Sequence, residues 1–220
     1  MGKIIEQIQF WKQIQLTQYI YFNYFCKQVK REGTGKIVPY KNAIIDLETD
    51  SKIVLGDNNI EIGLNKLKNS RTETYVRLRE GAIWKVLQGC GISYGCTIEV
   101  LKNANLKTGY FTMNSFSVLI AEQDIEMGED VMIGRNTVIY DSDFHTLVTD
   151  NVASIEKTVP VKIGNHVWLT SNVLVLKGTS IRDNSVIAAG SLLKHDVESD
   201  LLVGNDYHTK ILKKNIKWER

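Results

Sequence analysis

Residues 163–197 repeat every six positions, a period that fits strand alternation and not the turn of a helix. The blocks read IGNHVW, LTSNVL, VLKGTS, IRDNSV, IAAGSL and LKHDV. Their first positions are Ile163, Leu169, Val175, Ile181, Ile187 and Leu193, always branched aliphatic. Their fifth positions are Val167, Val173, Thr179, Ser185, Ser191 and Val197, always small or β-branched. The fifth residue of one block lies two before the first of the next, so both face the same side of a strand. Turn-forming residues (Asn165, Asn172, Lys177-Gly178, Asp183-Asn184, Gly190) fill the positions between. Short strand, tight bend, short strand, repeated, predicts a chain wound into a coil that stacks on itself, with the aliphatic residues in ladders inside.

The same inward pairing runs upstream through Leu119 with Ala121, Ile125 with Met127, Val131 with Ile133, and Thr137 with Ile139. Further back it continues through Ile92, Ile98 with Val100, and Ala104 with Leu106, with a phase slip near 107–113. Residues 44–80 keep the pattern too loosely to be drawn as coils. An antiparallel sandwich of short strands is the alternative. The expected organisation is an N-terminal helical arm over 1–35, an all-β parallel β-helix over 36–205, and a basic C-terminal tail over 206–220. The repeat does not set the hand of the coil, since parallel crossovers are ordinarily right-handed.

Composition narrows the class of partner. A net charge of +2 gives no case for nucleic acid. The three cysteines, Cys26, Cys90 and Cys96, are an odd number and form no CxxC-type pair, which suits a reducing compartment without structural zinc. No apolar run approaches the roughly 18 residues of a membrane span, and no signal-peptide core opens the chain, so a cytoplasmic protein is expected.

The repeat stops after Tyr140 and resumes at Val161. Between them lies DSDFHTLVTDNVASIEKTVP, a polar excursion too long for a turn, and long loops on a regular scaffold usually carry function. It holds His145, flanked by Asp141, Asp143 and Phe144, and it leads into Pro160-Val161-Lys162-Ile163-Gly164 and Val167-Trp168. Imidazole titrates where a general base must work at neutral pH, and a base is what a weakly nucleophilic hydroxyl needs to attack an activated acyl group. Asp143 or Asp141 could orient the ring, or both could serve the turn chemistry of the DSD sequence.

Repeat, loop position, histidine and the following Pro-Val-x-Ile-Gly-x-x-Val-Trp stretch together resemble the hexapeptide-repeat acyltransferases. The likeness is to the galactoside and maltose acetyltransferase branch, and more closely to the capsular-polysaccharide O-acetyltransferases. That resemblance implies a left-handed β-helix, acetyl-CoA as donor, no metal, a saccharide acceptor, and a homotrimer with the active site between adjacent subunits. It assigns His145 as general base, with no cysteine or serine carrying the acyl group. Asn114, in Thr112-Met113-Asn114, Glu122 and Asp143 fall to the acceptor side, or are simply outward polar residues on a coil. Trp168, Ser171, Ala189, Gly190, Lys194 and Lys213 fall to the acetyl-CoA side, with Lys210 and Lys214 beside them. Trp168 could equally be a core or interface residue, and the basic tail a solvated face. The sequence departs from the family pattern at Thr170, Leu176 and Arg182, and in the ending Gly204-Asn205-Asp206-Tyr207-His208-Thr209-Lys210.

Ile4, Ile8 and Trp11 recur at helical spacing in the arm, with a second helix expected over Tyr19–Lys30. Such an arm caps an open coil, packs on a neighbouring subunit, or, through Lys3, Lys12, Lys27, Lys30 and Arg31, rests on a membrane surface. Saccharide O-acetylation is the leading functional expectation. Amino-sugar N-acetylation and antibiotic acetylation are its rivals within the fold. A non-catalytic scaffold is a further alternative. So is a zinc carbonic anhydrase using His145, His166, His195 or His208, whose spacings suit it poorly.

Overall fold

The computed structural model describes residues 2–146 and 156–205. Three parallel sheets run the length of the molecule, and the chain visits them in strict rotation. Sheet 1 begins with Val29–Arg31, Lys52–Leu55 and Ile83–Val86 and ends with Ser180–Ile181. Sheet 2 runs from Ile37–Pro39 to Leu202–Val203, and sheet 3 from Ala43–Leu47 to Leu192–Leu193. Each strand pairs with those one turn of the coil before and after it, so Ile133 lies beside Met113 on one side and Leu169 on the other. A triangular coil results, with three rows of corners designated 1–2, 2–3 and 3–1 after the sheets they join.

The six-residue rule explains the core directly. Every first and fifth position from Ile163 to Val197 is buried, as are the paired positions upstream from Ile92 to Ile139. Branched aliphatic side chains at first positions fill the interior. Fifth positions must be small because the chain bends there, and where they carry hydroxyls these satisfy backbone carbonyls. Thr137 donates to the Thr170 carbonyl at 2.9 Å and Ser191 to that of Ala188 at 2.7 Å. The fourth position of the first five blocks takes the left-handed backbone conformation, seen at His166, Asn172, Gly178, Asn184 and Gly190. Coils stack so closely at second positions that a Cβ on Gly134 would lie 2.4 Å from the Thr170 carbonyl.

Residues 44–80, too irregular in sequence to be assigned coils, do form them: Ala43–Leu47, Lys52–Leu55, Ile60–Leu64 and Thr74–Leu78 occupy regular places in the three sheets. Two local features hide the register. Sheet 2 slips by a residue between Ile62 and Leu64, where Gly63 has a φ of +91°, and the following corner is lengthened to residues 65–73.

The arm contains α1 (Gly2–Gln13) and α2 (Leu16–Ile20), the latter continued by a π-helical turn over Tyr21–Phe25. The expected second helix ends well short of Lys30, because Val29–Arg31 is drawn into parallel pairing with Ile53–Leu55. The arm closes the first coil. Gln15 donates its backbone N–H to the Pro39 carbonyl at 2.9 Å, and Phe22 is buried in the core. The buried Asn23 amide pairs with both backbone groups of Ile37, at 2.7 and 3.0 Å, standing in for the strand that is missing there. No helix among the described residues is long and apolar enough to cross a membrane.

Candidate active site

The interruption leaves the coil at a 3–1 corner, and its base is ordered by pairing of its two limbs. Ser142 and Thr158 form an antiparallel bridge. Asp143 donates its N–H to the Lys157 carbonyl at 3.0 Å, and Val159 donates to the Asp141 carbonyl at 2.9 Å. His145 is the second residue beyond this neck, in a tight turn with Phe144 at a φ of +60° and the His145 N–H on the Asp143 carbonyl at 2.7 Å. The Phe144 ring meets Tyr140 edge-on, with centroids 5.2 Å apart, which fixes the turn to the coil. The His145 side chain is exposed.

Beneath the neck is a charged cluster. Asp141 is fully buried, and its carboxylate accepts the backbone N–H groups of Glu122 (2.7 Å), Gln123 (2.8 Å) and Asp124 (2.7 Å), the corner one coil below. Asp141 therefore does the turn chemistry that the DSD sequence suggested, with both carboxylate oxygens taken up by backbone N–H groups. Asp143 is ion-paired to Lys177 of the next coil at 2.6 Å. Glu122 is ion-paired to Lys157 and accepts the Ser142 hydroxyl, so both of its oxygens already have partners. Burial pushes the Glu122 carboxyl up. The hydrogen bonds of Lys157 and Ser142, with the Lys157 charge, outweigh that and hold it below the usual carboxylate range. Glu122 is thus a fixed anion within electrostatic reach of His145.

Lys157 and Lys177 were not legible as site residues. Lys177 reads as half of a Lys-Gly turn and Lys157 as one more charge in a polar loop. The signal lay in the pairing of the limbs, DSD against KTV, which places Lys157 opposite Asp143.

The remaining candidates sit elsewhere. Asn114, exposed, and Ser171, half-buried, lie on the 2–3 corner row together with the exposed Ala189 and Gly190. Gly190 has a φ of +75°, and a Cβ there would meet open space, so the backbone is approachable. Trp168 stands on the outer face of sheet 2, in a row with Met132, Val186 and Leu202. It is not a core residue. Lys194 is exposed on the 3–1 row with His145, across sheet 3 from Ser171. One chain therefore gathers His145, Glu122, Asp143 and Lys194 on one edge and Asn114, Ser171, Ala189 and Gly190 on another. Lys213, like Lys210, Lys214 and His208, lies outside the described residues. Of the other histidines, His166 is a 1–2 corner residue whose ring meets Asp130 at 2.6 Å. Among the described residues no trio of His, Cys, Asp or Glu is placed to hold a metal ion.

Comparison with known proteins agrees with this architecture. Residues 160–194 match the family model described as hexapeptide repeat of succinyl-transferase. The polysialic acid O-acetyltransferase of Neisseria meningitidis is 32% identical over 200 residues, covering 86% of this chain and 88% of that protein. The galactoside O-acetyltransferase of Lactococcus lactis is 35% identical over 102 residues, and that of Escherichia coli 29% over 112. The chain spans about half the length of these two galactoside enzymes, 48% and 51%. Among solved structures, the polysialic acid O-acetyltransferase OatWY superposes with a TM-score of 0.53 at 23% identity, over 87% of this chain and 91% of that one. Its likeness is one of fold, and the coil is the left-handed β-helix of these neighbours. With an identity of 32% spread over nearly the whole of both chains, the protein belongs to the hexapeptide-repeat acetyltransferase family.

Proposed function

We propose that this protein transfers an acetyl group from acetyl-CoA to a hydroxyl of a saccharide, with His145 as the general base. The observation that carries this reading is the ordered neck at residues 141–143 and 157–159, which presents an exposed histidine on the same corner row as Glu122, whose carboxyl is held below its ordinary range. His145 removes the hydroxyl proton as the oxygen attacks the thioester carbonyl. The tetrahedral intermediate then expels the CoA thiolate, which takes that proton from the imidazolium. The Glu122 carboxylate stabilises the imidazolium between these steps, as a fixed anion does beside a catalytic histidine. No covalent enzyme intermediate is needed, consistent with the burial of Cys90 and Cys96.

The donor lies along the 2–3 corner row, where Ser171, Ala189 and Gly190 offer an approachable backbone, with Trp168 at its border. Asn114 binds the acceptor on the same row, and Asp143, held by Lys177, borders it from the histidine side. Because His145 sits on a different edge of the chain, the site is completed by juxtaposing two copies, and a homotrimer does this three times. The outward row of Met132, Trp168, Val186 and Leu202 gives such an assembly apolar surface to cover. Acetyl-CoA as donor places the reaction in the cytoplasm.

The test is thiol release from acetyl-CoA across a panel of neutral, acidic and amino sugars. His145→Ala should lower turnover by about 10²–10⁴-fold, the usual contribution of a general base, with little change in the KM for acetyl-CoA. A variant that keeps most of its turnover would sink the assignment of His145. Sedimentation of active protein as a 25.0 kDa monomer would remove the shared site.

A further inference from the structure

The 2–3 corner row has two features that the transfer reaction leaves unused. The first is a cleft of about 460 Å³ between α1 and the lengthened corner at 65–73, lined by Lys12, Lys41, Lys66 and Lys68 around Tyr40 and Asn69. Among the described residues no carboxylate lines it, and the Glu61 carboxylate stands one hydrogen bond behind it, accepting the Tyr40 hydroxyl at 3.3 Å. Among the described residues none of the four ammonium groups has an ion-pair partner, although the chain as a whole is nearly neutral. The Lys66 ammonium hydrogen-bonds the Lys41 carbonyl at 3.3 Å. Burial, then the Lys41 charge, push the Lys66 ammonium below its ordinary range.

The second is Phe116. Every coil has a left-handed residue at this corner: Asn42, Asn69, Gly95, Phe116, Asn136, Asn172 and Gly190. Six of these are Asn or Gly, the residues that tolerate such a backbone, and the seventh is a half-exposed phenylalanine with a φ of +65°. Its ring packs over Gly95 and meets Tyr94 edge-on at 5.5 Å, so it is held in place while its outer face is open. A bulky aromatic kept where the backbone disfavours it, and kept exposed, points to a surface that binds something.

Phe116 and Asn114 share one corner, and on the same row the lysine cleft spans the corners two and three coils away. At about 4.8 Å per coil that is roughly 10–15 Å, within reach of a few linked sugar rings. We propose that this row is a track for an acidic glycan chain, whose anionic groups seat in the Lys12–Lys41–Lys66–Lys68 cleft and whose rings pass over Phe116 toward Asn114. The proposal rests on the reading of a saccharide as acceptor and adds its chemical class. Point-charge lysines without a single arginine suit the lone carboxylates of a glycan better than the bidentate geometry of phosphates. An open aromatic face suits the apolar side of a sugar ring.

Calorimetric titration of the intact protein with hexamers of galacturonate and of α2,8-linked sialic acid, and with maltohexaose and a polyphosphate of matched charge, tests it. At least one acidic hexamer should bind about tenfold or more tighter than maltohexaose, and less tightly as salt rises. Lys66→Gln/Lys68→Gln should weaken that binding by about tenfold, and Phe116→Asn, which installs a residue the corner row already uses, by severalfold, with the KM for acetyl-CoA unchanged in both. Equal binding of maltohexaose, tighter binding of polyphosphate, a rise in the acetyl-CoA KM, or variants that bind as wild type would each overturn the track. The two readings fail separately. Acidic-hexamer binding without transfer to any saccharide refutes the reaction and keeps the track, whereas transfer to neutral saccharides without such binding does the reverse.

Discussion

Replacing Asp141 by alanine should cost about 3–5 kcal/mol of stability, because its carboxylate holds three backbone donors that have no other partner. The carboxylate is fully buried and accepts the N–H groups of Glu122, Gln123 and Asp124 at 2.7–2.8 Å. Each buried donor left unpaired costs roughly 1–3 kcal/mol, with bonds to a charged acceptor toward the upper end. Gln123 is exposed, so water can replace one of the three bonds, which brings the sum down to the stated range. Asp141→Asn keeps one acceptor oxygen and should lose about half as much. The assay is urea denaturation of the three proteins at one fixed concentration, since any association between copies shifts the midpoint. A loss below about 1 kcal/mol for Asp141→Ala would refute the reasoning, because domain stabilities of about 5–15 kcal/mol make the expected loss easy to resolve. Abolished transfer in Asp141→Asn at unchanged stability would refute it differently, by making Asp141 a partner of the imidazole.

Two further outcomes follow from the same geometry. Glu122 is held below its unfolded value, so its stabilisation is complete above the ordinary carboxylate range and is lost as pH falls through its lowered folded value. The stability gap between wild type and Glu122→Gln should therefore be constant near neutral pH and close in acid, and a gap that does not change with pH would contradict the ion pair. Burial pushes the Cys96 thiol up to about 11 and that of Cys90 well above its usual range, so neither should react with a thiol reagent at pH 8 until the chain is unfolded. Rapid modification of the native protein would show that the coil opens locally.

The coil was legible from about residue 90 onward because its rule is local. A residue's place in the block decides whether it points inward, and Ile163, Leu169 and their successors obey it without exception. The rule failed to show the coils over 44–80 because a bulge and a long corner shift the phase there, and periodicity cannot see across a shift. The candidate site was half legible. His145 announced itself as the histidine in the break of the repeat. The lysines that shape its surroundings did not, since an ion pair such as Lys157 with Glu122 joins residues far apart in sequence that only the stacking of coils brings together.

The sequence by itself determined the interior, since a six-residue period with branched first positions and small fifth positions admits little other than a stacked coil. It also determined where that coil is interrupted. Tertiary structure decided on which edge of the coil each candidate stands. Asp141 turned out to be a backbone cap, and Trp168 an outward residue of sheet 2. It also decided that His145 and Ser171 stand on different edges of one chain. The physical reason is that burial follows a residue's own position in the block. The charge and exposure around a corner depend instead on which coils lie above and below it, and that register is fixed only when the chain has wound.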